Sequence, residues 1–118
     1  MEQVADFSGK FPKSARLLKH RDFFFRPYHR FHAEKFTFVF TERGKTRMGI
    51  SISKKVLPRA IARNRVRRLL KEAFRLNKKK FSGLDVHVVG RKELSLDWKS
   101  LTRAHVEQEF GQLLNRVG

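Results

Sequence analysis

The chain contains no cysteine, which excludes disulfides, thiolate nucleophiles and Cys-type zinc sites together and leaves packing as the source of stability. It also lacks any run of about 18 apolar residues, the length a membrane-spanning helix requires. Acids are scarce, 11 Asp and Glu among 118 residues, and none form a tight cluster in sequence of the kind that holds a catalytic metal. The opening Met1-Glu2-Gln3-Val4-Ala5-Asp6 carries two acids and no uninterrupted apolar stretch, the wrong pattern for a secretory signal, so the cytoplasm is the expected location. There is no internal repeat and no long linker. The expected organisation is a loosely ordered arm over residues 1–18 and a single domain over 19–118.

What is present in excess is positive charge. Lys and Arg number 28, giving a formal net charge of +17, far more than solubility demands. A polyanionic partner is the simplest reading. With 40% hydrophobic residues the chain can also bury a real core.

Periodicity outlines the elements. Arg21-Asp22-Phe23-Phe24-Phe25, stopped by Pro27, suits about two turns of helix. In the run from Lys35 to Thr41, Phe36, Phe38 and Phe40 alternate with Thr37, Val39 and Thr41, as in a strand with a buried Phe face. Glu42-Arg43-Gly44-Lys45 reads as a turn. A second alternation follows, Met48, Ile50 and Ile52 against Gly49, Ser51 and Ser53, so the two runs predict an antiparallel hairpin. Pro58 suits a first helical turn, and helical spacing continues to about Asn77. After Ser82-Gly83, Asp85-Val86-His87-Val88-Val89 reads as a short apolar strand. Ser95 or Asp97 is placed to cap a last helix whose core side draws on Trp98, Leu101, Phe110, Leu113 and Leu114. The order helix, strand, strand, helix, strand, helix predicts an α+β fold, a two-layer α/β sandwich.

The segment from Lys54 to Lys80 holds 12 Lys or Arg and one acid, Glu72. At about 100° per residue, Ala62, Val66, Leu69, Leu70 and Ala73 gather on one side of its helix and Arg63, Asn64, Arg67, Arg68, Lys71 and Arg75 gather opposite. An ordinary solvated helix face would intersperse Glu with Lys. Here Arg63, Arg67, Lys71 and Arg75 stack like charges four residues apart, each pair slightly destabilising, so binding of a polyanion is the better explanation. The preference for Arg points to RNA, whose phosphates a guanidinium bridges bidentately and whose bases it stacks on. Asn64 can both donate and accept, which suits a 2′-hydroxyl or a base edge. The outward face of the predicted hairpin, with Thr37, Val39, Ser51 and Ser53 and with Lys55 on the same parity, makes a small-residue floor that an extended single strand can approach, with Phe23 as a candidate stacking aromatic. Water contact alone is the competing explanation of such a face.

The stretch Arg47-Met48-Gly49-Ile50-Ser51-Ile52-Ser53-Lys54-Lys55, followed by Ala62-Arg63-Asn64-Arg65-Val66-Arg67-Arg68-Leu69-Leu70-Lys71-Glu72-Ala73-Phe74-Arg75, resembles the protein subunit of bacterial ribonuclease P. The resemblance extends to Arg16-Leu17, Asp22-Phe23 and Val86-His87-Val88-Val89. It implies a ribonucleoprotein endonuclease that removes 5′ leaders from precursor tRNA, with magnesium-dependent chemistry performed by the RNA subunit, no catalytic side chain from the protein and no obligate protein partner. It further implies a left-handed β-α-β crossover, against the usual right-handed preference. RNA-subunit contacts then fall on Arg63, Asn64, Arg65, Arg67 and Arg68, and on Lys71 and Arg75 along the same helix. Leader contacts fall on Phe23, Val39, Ser51, Ser53, Lys54 and Lys55. The sequence departs from the family at Val39, where an aromatic is common, and near Pro27 and Tyr28, where the first helix would carry a second aromatic.

Composition alone equally fits a ribosomal protein or RNA chaperone. A stand-alone nuclease would need catalytic carboxylates or histidines. Asp85 with His87, and His29 and His32 with Glu34, are the nearest approaches, and both sets are better explained as structural or solvated.

Overall fold

The computed structural model describes residues 28–42 and 44–117. Phe23 and the helix expected over residues 21–25 lie outside them. Four strands, β1 (His29–His32), β2 (Phe36–Thr41), β3 (Arg47–Ser51) and β4 (Asp85–Gly90), form one sheet in the order β1-β2-β4-β3. The helices are α1 (Ala60–Leu76), the single turn α2 (Leu94–Asp97) and α3 (Arg103–Leu114), with a 3-10 turn at Lys78–Phe81. The α+β expectation holds, and β3, α1 and β4 form a parallel β-α-β unit.

The expected hairpin does not form. β2 pairs antiparallel with both β1 and β4, while β3 pairs only with β4, in parallel. The reason lies in β4. Val86 and Val88 are fully buried, and Asp85 and His87 are buried on the opposite face, so this strand is suited to the sheet's centre, where both edges are hydrogen-bonded. The 44–46 segment therefore runs past the start of β4 instead of belonging to a tight hairpin turn. Asp85 holds it there, accepting from the Lys45 N–H at 2.8 Å, the Arg47 N–H at 3.2 Å and the Arg47 guanidinium at 2.7 Å. Gly44 passes so close that a Cβ would collide with the Asp85 carboxyl. The Phe face of β2 is buried as its alternation predicts, but Val39 and Thr41 on its other face are buried too, and alternation does not choose neighbours.

Phe36, Phe38, Phe40, Met48, Val86 and Val88 line the core face of the sheet. Against it α1 buries Ala62, Val66, Leu70, Ala73 and Phe74, and α3 buries Val106, Glu109, Phe110 and Leu113. Edge-to-face rings run through the layers, Phe38 on Phe110 at 5.9 Å, Phe110 on Phe81 at 5.1 Å and Phe81 on Phe74 at 5.1 Å. Two boundaries differ from expectation. Pro58 precedes the N-cap, Arg59, and the last helix starts at Arg103, where Thr102 Oγ1 accepts from the His105 N–H at 3.2 Å. Ser95 and Asp97 belong to the separate turn α2.

Candidate nucleic-acid interface

Little about the start of α1 favours a helix. No side chain caps its start, and its first turn holds no acid to complement the positive end of the helix dipole. Burial of the apolar stripe, together with good helix formers such as Ala60, Ala62, Leu69 and Leu70, carries it.

The cations on α1 divide into two groups. Arg63 turns back along the chain, its Nη1 donating to the carbonyls of Leu57 at 2.8 Å and Pro58 at 2.9 Å. Arg65 lies about 60° outside the arc that holds the other cations, at 100° per residue. Its guanidinium serves the segment between α2 and α3, donating to the carbonyls of Trp98 at 3.4 Å, Lys99 at 3.0 Å and Leu101 at 2.8 Å. Asn64, Arg68 and Arg75 are exposed, and Arg67 and Lys71 are half-buried. Among the described residues none of the α1 cations pairs with a carboxylate. The face from Asn64 to Arg75 is thus an uncompensated positive surface. Sequence pattern found that face but could not separate Arg63 and Arg65 as framework residues, because their acceptors are main-chain carbonyls of other segments.

The second face of the sheet carries the remaining site residues. Register places Val39 beside His87 and His87 beside Gly49, and in the next row Thr37, Val89 and Ser51. Ser51 Oγ lies 2.8 Å from His87 Nε2. His32 Nδ1 lies 2.8 Å from Thr37 Oγ1. Ser51, Ser53, Lys54 and Lys55 are exposed, whereas Val39 is only 7% exposed. Lys54 and Lys55 do not continue the strand parity. β3 ends at Ser51, and Ser53 through Leu57 form a turn in which the Ser53 carbonyl accepts from the N–H groups of Val56 and Leu57. The two lysines therefore project from a turn at the rim of the sheet.

Several of the acids and histidines a protein-only nuclease would draw on hold structural partners. Asp85 is fully buried in its pair with Arg47. Glu34, His105 and Glu109 bring ligand atoms within 4.8 Å of one another, a cluster that sequence distance concealed. Both oxygens of Glu109 already accept from the Lys35 N–H, and His105 Nε2 lies 2.6 Å from Oε2. Magnesium prefers a near-octahedral shell of oxygens, so two carboxylates and an imidazole in this arrangement do not suit it. Next to this cluster the Lys35 ammonium, 2.6 Å from Asp97 Oδ1, is held above its ordinary value, chiefly by that hydrogen bond.

A family model described as Ribonuclease P matches residues 11–118. The ribonuclease P protein component of Desulforapulum autotrophicum is 35% identical over 117 residues, covering 93% of this chain and 94% of that one. That of Pseudomonas putida is 33% identical over 115 residues, covering 93% and 83%. The solved structure of the RNase P protein from Thermotoga maritima superposes with a TM-score of 0.73 at 31% identity, covering 87% of this chain and 97% of that one.

Proposed function

Because this chain belongs to the ribonuclease P protein component family, whose members work with the ribonuclease P RNA in 5′ maturation of tRNA, we propose a division of labour between its two faces. The outer face of α1, through Asn64, Arg67, Arg68, Lys71 and Arg75, docks the catalytic RNA. Arg63 and Arg65 hold the segments flanking that helix and reach RNA only with the donors their carbonyl contacts leave over. The second face of the sheet and the turn at its rim, with Val39, Ser51, Ser53, Lys54 and Lys55, receive the single-stranded leader of precursor tRNA, and Phe23 is the aromatic expected to stack on its bases. The protein contributes no catalytic side chain. Magnesium acts through the RNA subunit, and the assembly works in the cytoplasm.

The observation that carries this reading is the run of cations on α1 without carboxylate partners among the described residues, over a buried apolar stripe. Each such charge near a phosphate releases counterions, so docking must weaken steeply with salt. Reconstitution with a ribonuclease P RNA tests the division. Arg68→Ala should weaken the RNA-subunit complex and flatten its salt dependence by about one unit or less, with leader discrimination unchanged. Phe23→Ala should weaken precursor binding by about 1–3 kcal/mol and leave mature tRNA unaffected. Equal losses for both tRNAs would remove Phe23 from the leader site. Processing by RNA-free protein in magnesium, abolished by changing His87, would refute the assignment of chemistry to the RNA.

A further inference from the structure

Beyond the end of α1 the chain forms a second concentration of charge. Arg75, Lys78, Lys79 and Lys80 line an open pocket of about 750 Å³ whose other walls include Thr46 and Ser82. Arg75, Lys79 and Lys80 are exposed, and none of the four pairs with a carboxylate among the described residues. Glu107, the acid that reaches this end of the helix, is taken by Asn77 Nδ2 at 3.1 Å and by Arg103 at 3.6 Å.

Complementing the helix dipole does not account for four cations. That effect fades within the last turn, where Arg75 suffices, and the negative end is already served by Asn77, whose Nδ2 donates to the Ala73 carbonyl at 2.8 Å. The three lysines lie past the helix, on the 3-10 turn. The opposing wall is also fixed. Thr46 sits at φ 62°, in the left-handed region unfavourable to a β-branched residue, and its Oγ1 accepts from the Gly83 N–H at 2.9 Å. Thr46 thereby ties the segment leading into β3 to the segment leading into β4.

We propose that this pocket is a second phosphate-binding site for the catalytic RNA, meeting the face of α1 at Arg75 but centred on the lysine turn past its end, and taking a sugar-phosphate segment at which the backbone turns or two backbones run close. The proposal rests on the docking role of α1 given above. A single strand presents its phosphates in a line, which a helix face with cations at every fourth residue matches. Four cations converging on one concavity match a place where phosphate density is higher. From Arg63 to Arg75 the helix spans about 18 Å, at 1.5 Å per residue, and the lysine turn carries the positive surface past its end.

The test uses the full chain with ribonuclease P RNA and compares two variants that each remove two exposed positive charges. Lys79→Gln/Lys80→Gln should weaken the complex roughly 10-fold at moderate salt and flatten the plot of log affinity against log salt by between about one and two. Lys92→Gln/Arg116→Gln, outside the pocket, should move neither. Equal effects in the two variants would reduce the finding to net charge and overturn the proposal, as would an unchanged slope in the first. Location has its own readout, because the chain has no cysteine to compete. A hydroxyl-radical source tethered at Lys79→Cys should cut the RNA at one locus, different from that cut from Arg68→Cys, and diffuse cutting would overturn a defined site. Failure of the unaltered chain to bind the RNA would sink the docking reading and this proposal with it. Normal binding by the unaltered chain and by Lys79→Gln/Lys80→Gln would sink only the proposal.

Discussion

Arg65 and Arg68 stand three residues apart in one basic helix and do different work. Arg65 satisfies three carbonyls between α2 and α3, acceptors that truncation would leave without their charged donor. Arg65→Ala should therefore cost about 1–3 kcal/mol in urea denaturation, whereas Arg68→Ala should stay within about 0.5 kcal/mol of the parent. Equal stability of the two variants would mean that the Arg65 contacts contribute nothing net. Asp85 is a sharper case of the same kind. Its carboxylate gathers two N–H groups and a guanidinium at the start of the central strand, and its side chain is fully buried. Removing it by Asp85→Ala takes the acceptor from two N–H groups and breaks a buried ion pair, a change that typically costs about 3–5 kcal/mol, readable by the same measurement.

At the scale of elements, α3 is fastened to the β1-β2 connection by polar contacts as well as by packing. Lys35 donates its N–H to Glu109 and its ammonium to Asp97, so one residue links that connection to α3 and to α2. The folded-state value of Lys35 lies above the usual 10.5. The stability it contributes is therefore complete below that unfolded value and is lost as pH rises through the higher folded one. Between pH 9 and pH 12 the Lys35→Met variant should lose less stability than the parent, and parallel losses would remove Lys35 from the alkaline transition. This staple was not legible beforehand, because its members are 62 and 74 residues apart in sequence. What could be read was local. The Phe alternation of β2, the stripe of α1 and the apolar run of β4 each declare a buried face within a few residues. Strand β1, His29-Arg30-Phe31-His32, was missed because three of its four residues are exposed and it shows no apolar face. The neighbour of β2 was misassigned because pairing is decided by which strand tolerates burial on both faces, a comparison among strands.

The molecule as a whole holds its core together through rings contributed from distant parts of the chain. Phe81, from the short turn after α1, is fully buried and meets both Phe74 and Phe110 edge to face at 5.1 Å. Phe81→Ala should cost about 3–5 kcal/mol. The loss should appear equally by circular dichroism and by Trp98 fluorescence, since α1 and α3 both lean on the same ring. Separate transitions by the two probes would mean that the two helices come away from the sheet independently. The net charge of +17 sets a further condition, because self-repulsion opposes compaction and a polyanion relieves it.

The contact of Arg63 with Leu57 and Pro58 acquires a metrical meaning from its position. It closes the short span between the turn that carries Lys54 and Lys55 and the helix that carries Asn64 and Arg68. A flexible span would let those two groups drift independently, and a clamped one sets them at a constant offset. Under the division of labour proposed above, a strand resting on the turn would be kept in fixed phase with one resting on the helix, and the span would work as a gauge block between two RNAs.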